Sequence, residues 1–264
     1  MDTPIHLEIS DGTACITLNR PQSFNAFGRE MVQALANTLL DLSQNPSVMG
    51  VVITGAGKAF CAGGDLKWLL SYDRPYGEAF HALAAVYHQA IVEIRRMPKP
   101  VVAAINGLAA GGGFSMALAC DFRVMESSAI LKQAYTSNGL SLDGGGTYSL
   151  PRLVGLARAM EIAVFDQPIS AEKALEWGLV TKVTEEGQSL EEARKLVEQI
   201  KQGPLSSFAA CKQLLADSFH TPLEAQLEKE RNLLSWCADH PNGREGIQAF
   251  TEKRRPEYNK QEGS

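Results

Sequence analysis

The stretch from Pro100 to Cys120 contains no charged side chain, and this restricts the possible folds more than any other feature of the sequence. It is nearly long enough for a membrane-spanning helix, which requires about 20 apolar residues. However, it includes Asn106 and the run Gly111-Gly112-Gly113, and each glycine inside a helix costs about 1 kcal/mol relative to alanine. A buried strand, a glycine-rich loop and a buried helix explain the stretch better, so we expect no membrane association.

Apolar runs and glycine clusters alternate through the first part of the chain. Short apolar runs predict buried strands at 50–54 and 101–105. Glycine-rich loops follow them at 55–64 and 107–113, and a third glycine cluster occupies 139–146. Helices are predicted at 28–43, 78–96, 204–217, 222–239 and 243–254. This order predicts an α/β core followed by a helical C-terminal part.

Charge and cysteine usage narrow the class of protein. The chain has 30 acidic and 25 basic residues, a formal net charge of −5. Binding to a nucleic-acid backbone requires a local excess of cations, so this balance disfavours a nucleic-acid partner. The five cysteines show neither C-x-x-C nor zinc-ligand spacing, which predicts reduced thiols in a cytoplasmic protein and no metal site. The opening MDTPIHLEIS also lacks the regions of a secretory signal.

Two short segments partly match known binding or catalytic motifs, but each lacks a required feature. Gly55-Ala56-Gly57-Lys58 follows a predicted strand, but it lacks the third glycine of a dinucleotide fingerprint and the Ser or Thr of a phosphate-binding loop. Gly113-Phe114-Ser115-Met116-Ala117 is close to the G-x-S-x-G motif of serine hydrolases. That motif requires a sharp turn directly after a strand, whereas a glycine loop precedes Ser115. We therefore interpret Ser115 as a small residue packed within a helix.

A series of longer motifs carries a resemblance to a known family. The motifs are Asn19-Arg20-Pro21-x-x-x-Asn25-Ala26, Ala59-Phe60-Cys61-Ala62-Gly63-Gly64-Asp65-Leu66, Lys99-Pro100-Val101-Val102-Ala103-Ala104-Ile105-Asn106-Gly107 with Gly111-Gly112-Gly113, and Leu150-Pro151-Arg152-Leu153-Val154-Gly155. In this order they resemble the crotonase (enoyl-CoA hydratase/isomerase) superfamily, and Phe250-x-x-Lys253 near the C-terminus resembles it more loosely.

The resemblance implies a fold, a ligand and an assembly. Residues 1–200 would form an α/β spiral of ββα units that binds the acyl-CoA. Residues 201–264 would form a helical region through which the chain assembles into homotrimers or hexamers. The implied substrate is a coenzyme A thioester, with no separate cofactor.

The resemblance also assigns the site that stabilises an enolate. A thioester α-proton becomes removable when two backbone N–H groups stabilise the enolate oxygen, and losing one such donor typically costs about 3–4 kcal/mol. The motifs assign these donors to Ala62 and Gly112. The substrate-binding residues would be Ala62, Gly63, Gly64, Asp65, Leu66, Gly111 and Gly112, with Phe250 and Lys253 reaching coenzyme A.

The sequence departs from the hydratase pattern at the two catalytic glutamates. Ser115 and Tyr135 stand at the corresponding positions, and neither replaces a carboxylate, since the ordinary pKa of tyrosine is about 10. A carboxylate occurs instead at Asp143, where the hydratase pattern has glycine. One carboxylate suffices to move a proton between two carbons of an allylic system. We therefore expect an enoyl-CoA isomerase that uses Asp143 as the proton shuttle, although an Asp-Gly turn would also place aspartate here.

Three alternatives remain open. In the dehalogenase branch of the superfamily an Asp at this position attacks an aryl ring and a His activates water, which would give these roles to Asp143 and His88, with Tyr135 beside them. A hydratase that acts without the usual glutamates is the second alternative. The third is a protein that only binds coenzyme A esters or RNA. For His88, an ordinary structural role on an amphipathic helix also fits.

Overall fold

The computed structural model describes residues 3–73 and 75–259. Its strands are β1 (Ile5–Ser10), β2 (Thr13–Leu18), β3 (Gly50–Gly55), β4 (Ala59–Cys61), β5 (Val101–Ile105), β6 (Leu108–Ala110), β7 (Phe122–Glu126), β8 (Ile130–Lys132), β9 (Ile169–Ser170) and β10 (Lys182–Thr184). Its helices are α1 (Arg29–Gln44), α2 (Leu66–Leu70), α3 (Tyr76–Arg96), α4 (Gly112–Ala119), α5 (Gly146–Phe165), α6 (Ala171–Glu176), α7 (Ser189–Lys201), α8 (Leu205–Asp217), α9 (Leu223–Asp239) and α10 (Pro241–Glu252).

Two sheets of mixed direction form the core. The larger sheet has the strand order β1-β2-β3-β5-β7-β10, and the smaller one has the order β4-β6-β8-β9. Strands β3, β5 and β7 pair in parallel, and so do β4, β6 and β8. Each turn of the chain therefore adds one strand to each sheet and then a helix: β3-β4-α3, β5-β6-α4 and β7-β8-α5. This is the expected α/β spiral of ββα units.

The uncharged stretch lies at the centre of this spiral. Every residue of β5 and of α4 is buried, so neither element has a face on which a charged side chain could reach water. The stretch is divided by Asn106 and Gly111 into β5, β6 and α4, so the predicted strand and helix are present and a second strand lies within the predicted loop. Within the described residues, no helix is long and apolar enough to cross a membrane.

The short strands of the smaller sheet were not predicted from the sequence. Residues 55–64 and 107–113 are predicted loops, but they contain β4 and β6, each three residues long. Three residues are too few to show a period of two, so their strand character depends on pairing with each other across the sequence.

The last helices pack mainly against one another. Helix α7 ends at Lys201, and α10 contacts α9 and α8. Large apolar side chains remain exposed on these helices and in the turn after α8: Leu215, Phe219, Leu223, Leu227, Leu234, Trp236, Ile247 and Phe250. The division of the chain at residue 200 stays a prediction, and residues 260–264 of the predicted helical region lie outside the described residues.

Candidate active site

An elongated cavity of about 370 Å³ lies between α3, the start of α4 and the loop before α5. Its walls are mainly apolar and aromatic. They are formed by Phe27, Val32, Gly64, Gly77, Phe80, His81, Leu83, Ala84, Tyr87, Gly112, Tyr135, Leu140, Ser141, Leu142 and Asp143. We call this cavity the acyl pocket. Its size and apolar walls are typical of small-molecule sites.

Gly112 brings a backbone donor to the acyl pocket. It is the first residue of α4, so its N–H group has no acceptor within the helix, and the helix dipole favours negative charge there. The preceding Gly111 has φ +52°, a conformation that glycine adopts without steric cost. Gly112 therefore lies on the wall of the acyl pocket at the start of a helix, and its role as a donor stays a prediction.

The assignment of the second donor to Ala62 is wrong. The Ala62 N–H group donates to the Phe24 carbonyl oxygen at 3.0 Å, so it is not free to bind a ligand. The next residues pair with Phe27, through Phe27 N–H to Gly63 O at 2.6 Å and Asp65 N–H to Phe27 O at 3.0 Å. Backbone groups alternate in direction along an extended segment. The N–H group of Gly64, between Gly63 and Asp65, is therefore turned away from Phe27.

Gly64 is the better candidate for the second donor. It lines the acyl pocket together with Gly112, and no residue that the structure describes accepts a hydrogen bond from its N–H group. The motif Ala62-Gly63-Gly64 contains this residue. The motif did not show which of the three successive N–H groups is free, because the pairing with Phe27 decides that.

Tyr87 contacts both the start of α4 and the loop that carries Asp143, and the sequence did not predict this role. Its hydroxyl donates to the Gly112 carbonyl oxygen at 2.5 Å, and its ring lies 4.9 Å from that of Phe27. A Cβ atom on Gly144, next to Asp143, would lie 2.6 Å from the same hydroxyl. Burial, followed by neighbouring negative groups, raises the pKa of Tyr87 well above its ordinary value, so the hydroxyl stays protonated.

Asp143 and His88 form a hydrogen-bonded pair. His88 Nε2 and Asp143 Oδ1 are 2.5 Å apart, although the residues are 55 positions apart in the chain. A carboxylate only accepts hydrogen bonds, so Nε2 is the donor. The Asp143 side chain does not cap α5, whose N-cap residue is Gly145. Asp143 also lines the acyl pocket, and no described residue donates a hydrogen bond to its Oδ2 atom.

The two positions that correspond to the hydratase glutamates carry Ser115 and Tyr135, neither of which is a carboxylic acid. Ser115 is fully buried, and its Oγ has no hydrogen bond of ordinary geometry among the described residues, although Tyr135 lies beside it. Burial, and then the nearby Asp143 charge, raise the pKa of Tyr135 well above its ordinary value. Tyr135 therefore contributes a neutral hydroxyl to the wall of the acyl pocket.

The remaining predicted binding residues lie apart from the acyl pocket. Asp65 is the N-cap of α2, where it accepts hydrogen bonds from the N–H groups of Lys67 and Trp68, and Arg20 binds its other oxygen at 2.8 Å. Leu66 begins the same helix. Phe250 and Lys253 are at the end of α10, and within this chain neither lines the acyl pocket.

Helix α3 supplies one wall of the acyl pocket through Phe80, His81, Leu83 and Tyr87. Trp68 and Tyr72 precede this helix and lie outside the lining, where their ring centroids are 5.5 Å apart.

Replacing Asp65 by asparagine is expected to lower the free energy of unfolding at pH 7 by about 1–2 kcal/mol, because a charge-assisted hydrogen bond is lost. Burial alone would raise the pKa of Asp65, but the hydrogen bond and charge of Arg20 and the N–H groups of α2 outweigh it and lower the pKa. This stability is complete above the ordinary carboxyl pKa and is lost as the pH falls through the lowered value.

Urea denaturation of wild type and Asp65→Asn at pH 7 and pH 3 measures this contribution. The difference between the two proteins should shrink at pH 3. Asp41→Asn, at an exposed position on α1, serves as the control. A difference that is equal at both pH values would contradict the prediction.

This fold and this pocket define a class of acyl-CoA enzymes, and comparison with known proteins agrees. The chain belongs to the enoyl-CoA hydratase/isomerase family, the crotonase superfamily: the family model matches residues 8–261. The resemblance found in the sequence is thereby confirmed.

Relatives and solved structures match nearly the whole chain. The chain is 33% identical to the 1,2-epoxyphenylacetyl-CoA isomerase of Escherichia coli (strain K12) over 256 residues, which cover 95% of this chain and 96% of that protein. It is 33% identical to the 4-chlorobenzoyl coenzyme A dehalogenase-2 of Arthrobacter sp over 258 residues, 96% of this chain and 92% of that protein. The crystal structure of an enoyl-CoA hydratase from Polaromonas sp. JS666 has a TM-score of 0.92 at 40% identity, covering 97% of this chain and 99% of that chain.

Proposed function

We propose that the protein is an acyl-CoA isomerase that moves a carbon–carbon double bond, with Asp143 as the proton shuttle. One observation carries the proposal: Asp143 is the only carboxylate among the described residues that line the acyl pocket, which it shares with Gly64 and Gly112. The relative named as a 1,2-epoxyphenylacetyl-CoA isomerase supports isomerisation of a coenzyme A thioester as the type of reaction.

The reaction follows from these groups. The N–H groups of Gly64 and Gly112 bind the thioester carbonyl oxygen, whose negative charge grows as a proton leaves the adjacent allylic system. Asp143 takes that proton from one carbon and returns it to another, so the double bond shifts and no second acid is required. His88 holds Asp143 in place through its hydrogen bond. Proton transfer within a thioester needs no cofactor other than the coenzyme A of the substrate.

The ultraviolet absorbance of conjugated enoyl thioesters tests this proposal. Wild-type protein should increase the absorbance of a 3-enoyl-CoA as the double bond moves into conjugation with the thioester. A decrease with a 2-enoyl-CoA and no isomerisation would indicate hydration without the usual glutamates. No change with either thioester, together with tight binding of both, would favour a protein that only binds coenzyme A esters.

A second candidate is hydrolytic dehalogenation of an aryl-CoA, which the 2.5 Å contact between His88 and Asp143 favours. In this reaction the Asp143 carboxylate attacks the halogen-bearing ring carbon and halide leaves, which forms an aryl ester. His88 then removes a proton from water, and the resulting attack on the ester carbonyl releases the phenol and restores Asp143.

His88→Gln separates the two candidates, since glutamine can still donate a hydrogen bond to Asp143. For the isomerase we expect kcat to fall by no more than about tenfold. For the dehalogenase, a rapid release of one halide per site followed by arrest would show that the aryl ester forms and is not hydrolysed. Chloride release from 4-chlorobenzoyl-CoA is the measurement.

Tyr87→Phe should lower kcat for isomerisation by about fivefold with little change in KM, since a buried hydrogen bond is worth about 1 kcal/mol and one tenfold step is about 1.4 kcal/mol. The phenyl ring retains its packing on Phe27, but the Gly112 carbonyl loses its donor. Tyr72→Phe, which removes a hydroxyl outside the acyl pocket, is the matched control. Equal kcat values for both variants would refute a role for this hydrogen bond.

The expected assembly into homotrimers or hexamers is also part of this proposal. Its support is the set of exposed apolar side chains on α9 and α10 and a second set on α5: Leu156, Met160, Val164 and Phe165. Assembly would allow Phe250 and Lys253 of one copy to approach coenzyme A bound to another. Light scattering of the purified protein measures the mass, and a monomer at micromolar concentration would contradict the expectation.

A further inference from the structure

A second cavity, of about 500 Å³, lies among the end of α3, β7, the first turns of α5 and α8. We call it the cationic cavity because its ionisable lining consists of Arg95, Arg123, Arg152 and Lys212 together with Asp121 and Cys residues. No described residue lines both this cavity and the acyl pocket. It is therefore separate from the proposed catalytic site.

Positive charge in the cationic cavity is not balanced. Four cationic side chains face a single carboxylate, Asp121, which pairs with Lys212 at 2.7 Å. Arg123 donates to the carbonyl oxygens of Leu179 and Cys120, both at 2.6 Å. These acceptors satisfy its hydrogen bonds but leave its charge uncompensated.

Two guanidinium groups retain unused capacity to donate hydrogen bonds. Arg95 makes no hydrogen bond or ion pair with any residue in the described ranges, and its Cζ atom lies 5.7 Å from the centre of the Tyr148 ring. Arg152 donates to the Tyr148 carbonyl oxygen and lies 3.2 Å from His220 Nε2. Its Nε atom is buried and has no acceptor among the described residues.

This arrangement favours the binding of an anion. Burial lowers the pKa of Lys212, as the Arg95 charge also does, although Asp121 opposes both effects. Arg95 and Arg152 are partly exposed, but the buried Nε atom of Arg152 has no acceptor among the described residues, and a buried donor without an acceptor is unfavourable. An anion bound between Arg95 and Arg152 would supply both the missing charge and the missing acceptor.

The other walls of the cationic cavity are apolar and indicate the body of the anion. They include Leu118, Phe122, Phe208, Leu215 and Phe219. The volume is within the range of about 300–1,000 Å³ that is usual for small-molecule sites. An inorganic ion would leave these walls unused.

We propose that the cationic cavity is a second ligand site, which binds an organic monoanion with a compact apolar body. Arg95 and Arg152 hold its carboxylate, and Phe122, Phe208 and Phe219 contact its apolar part. The proposal concerns a site apart from the acyl pocket, so it stands or falls independently of the isomerase reaction.

Isothermal titration of the purified full chain with benzoate and with hexanoate tests the proposal, and benzamide is the neutral analogue of benzoate. At least one of the two acids should bind saturably. If benzoate binds, benzamide should bind at least about tenfold more weakly, because charge-assisted hydrogen bonds are stronger than neutral ones. Arg95→Gln should raise the dissociation constant by about tenfold or more. Arg96→Gln, at the adjacent exposed position outside this cavity, is the matched control and should change it by less than about twofold.

Two further measurements keep the test decisive. Thermal unfolding of both variants checks that they fold, which Arg95→Gln should do because Arg95 makes no hydrogen bond to a described residue. Asp143→Asn should bind the acid as wild type does, whereas an acid bound in the acyl pocket would bind more tightly once that carboxylate is neutral. Absence of saturable binding for both acids, or unchanged binding in Arg95→Gln, would overturn the proposal.

Discussion

Asp143→Asn is expected to lower kcat for double-bond migration by about 10³-fold, within the usual range of 10²–10⁴ for general acid–base catalysis. Asparagine has nearly the shape of aspartate and can still accept the hydrogen bond from His88, but it cannot take a proton from the substrate. The acyl pocket offers no other carboxylate among its described lining residues, so no neighbouring group can replace it.

Steady-state kinetics on a 3-enoyl-CoA, with exchange of the α-proton in deuterated water as a second readout, measures this effect. KM should change by less than about threefold, because the lost interaction acts in the transition state rather than in binding. Both readouts should fall together. A kcat within fivefold of wild type would show that another group moves the proton and would remove the basis for the isomerase proposal.

Gly112→Ala is expected to lower kcat by about 10²-fold, the effect of displacing one donor from an oxyanion site. A Cβ atom here would lie 2.9 Å from Phe27 Cε2 and 3.0 Å from its Cδ2. The Phe27 ring is buried and packs against Tyr87, so it cannot move aside freely. The start of α4 must shift instead, and the Gly112 N–H group moves with it.

Gly64→Ala is the matched control for Gly112→Ala. The nearest atom to a Cβ on Gly64 is Phe80 Cε1 at 3.7 Å, an ordinary van der Waals distance. We therefore expect this variant to retain kcat within about threefold, because its N–H group remains in place. Adding Phe27→Leu to Gly112→Ala should restore part of the lost kcat by removing the clash. Equal losses in the two alanine variants, or no recovery in the double variant, would contradict the steric explanation.

The sequence predicted the central elements of the fold because burial leaves a strong pattern. Strands β3 and β5 are buried along their whole length, and α4 has no exposed face. Short apolar runs predicted both strands, and the absence of charge between Pro100 and Cys120 located β5 and α4. The motifs identified the family, and with it the spiral of ββα units. The strands β4, β6 and β8 were not predicted, since elements of three residues have no periodicity of their own.

The candidate site was predicted in its parts but not in its geometry. The motifs pointed to Asp143, to His88 and to the glycine segments for separate reasons. The structure shows that His88 binds Asp143, and that the Phe24 carbonyl occupies the Ala62 N–H group. Tyr87 gave no signal, because a tyrosine on the buried face of a helix has the same pattern whether it only packs or also binds Gly112.

By itself the sequence determined the family, the α/β spiral and the chemical groups that are available: a carboxylate in place of two glutamates and flexible glycines beside buried strands. These properties depend on residue type and local spacing, which a sequence records directly. Only the tertiary structure decided which backbone N–H groups are free, which side chains pair across 55 residues, and that four cations surround one cavity. Those properties depend on the directions of backbone groups and on contacts between distant segments, and the packing of the spiral fixes both.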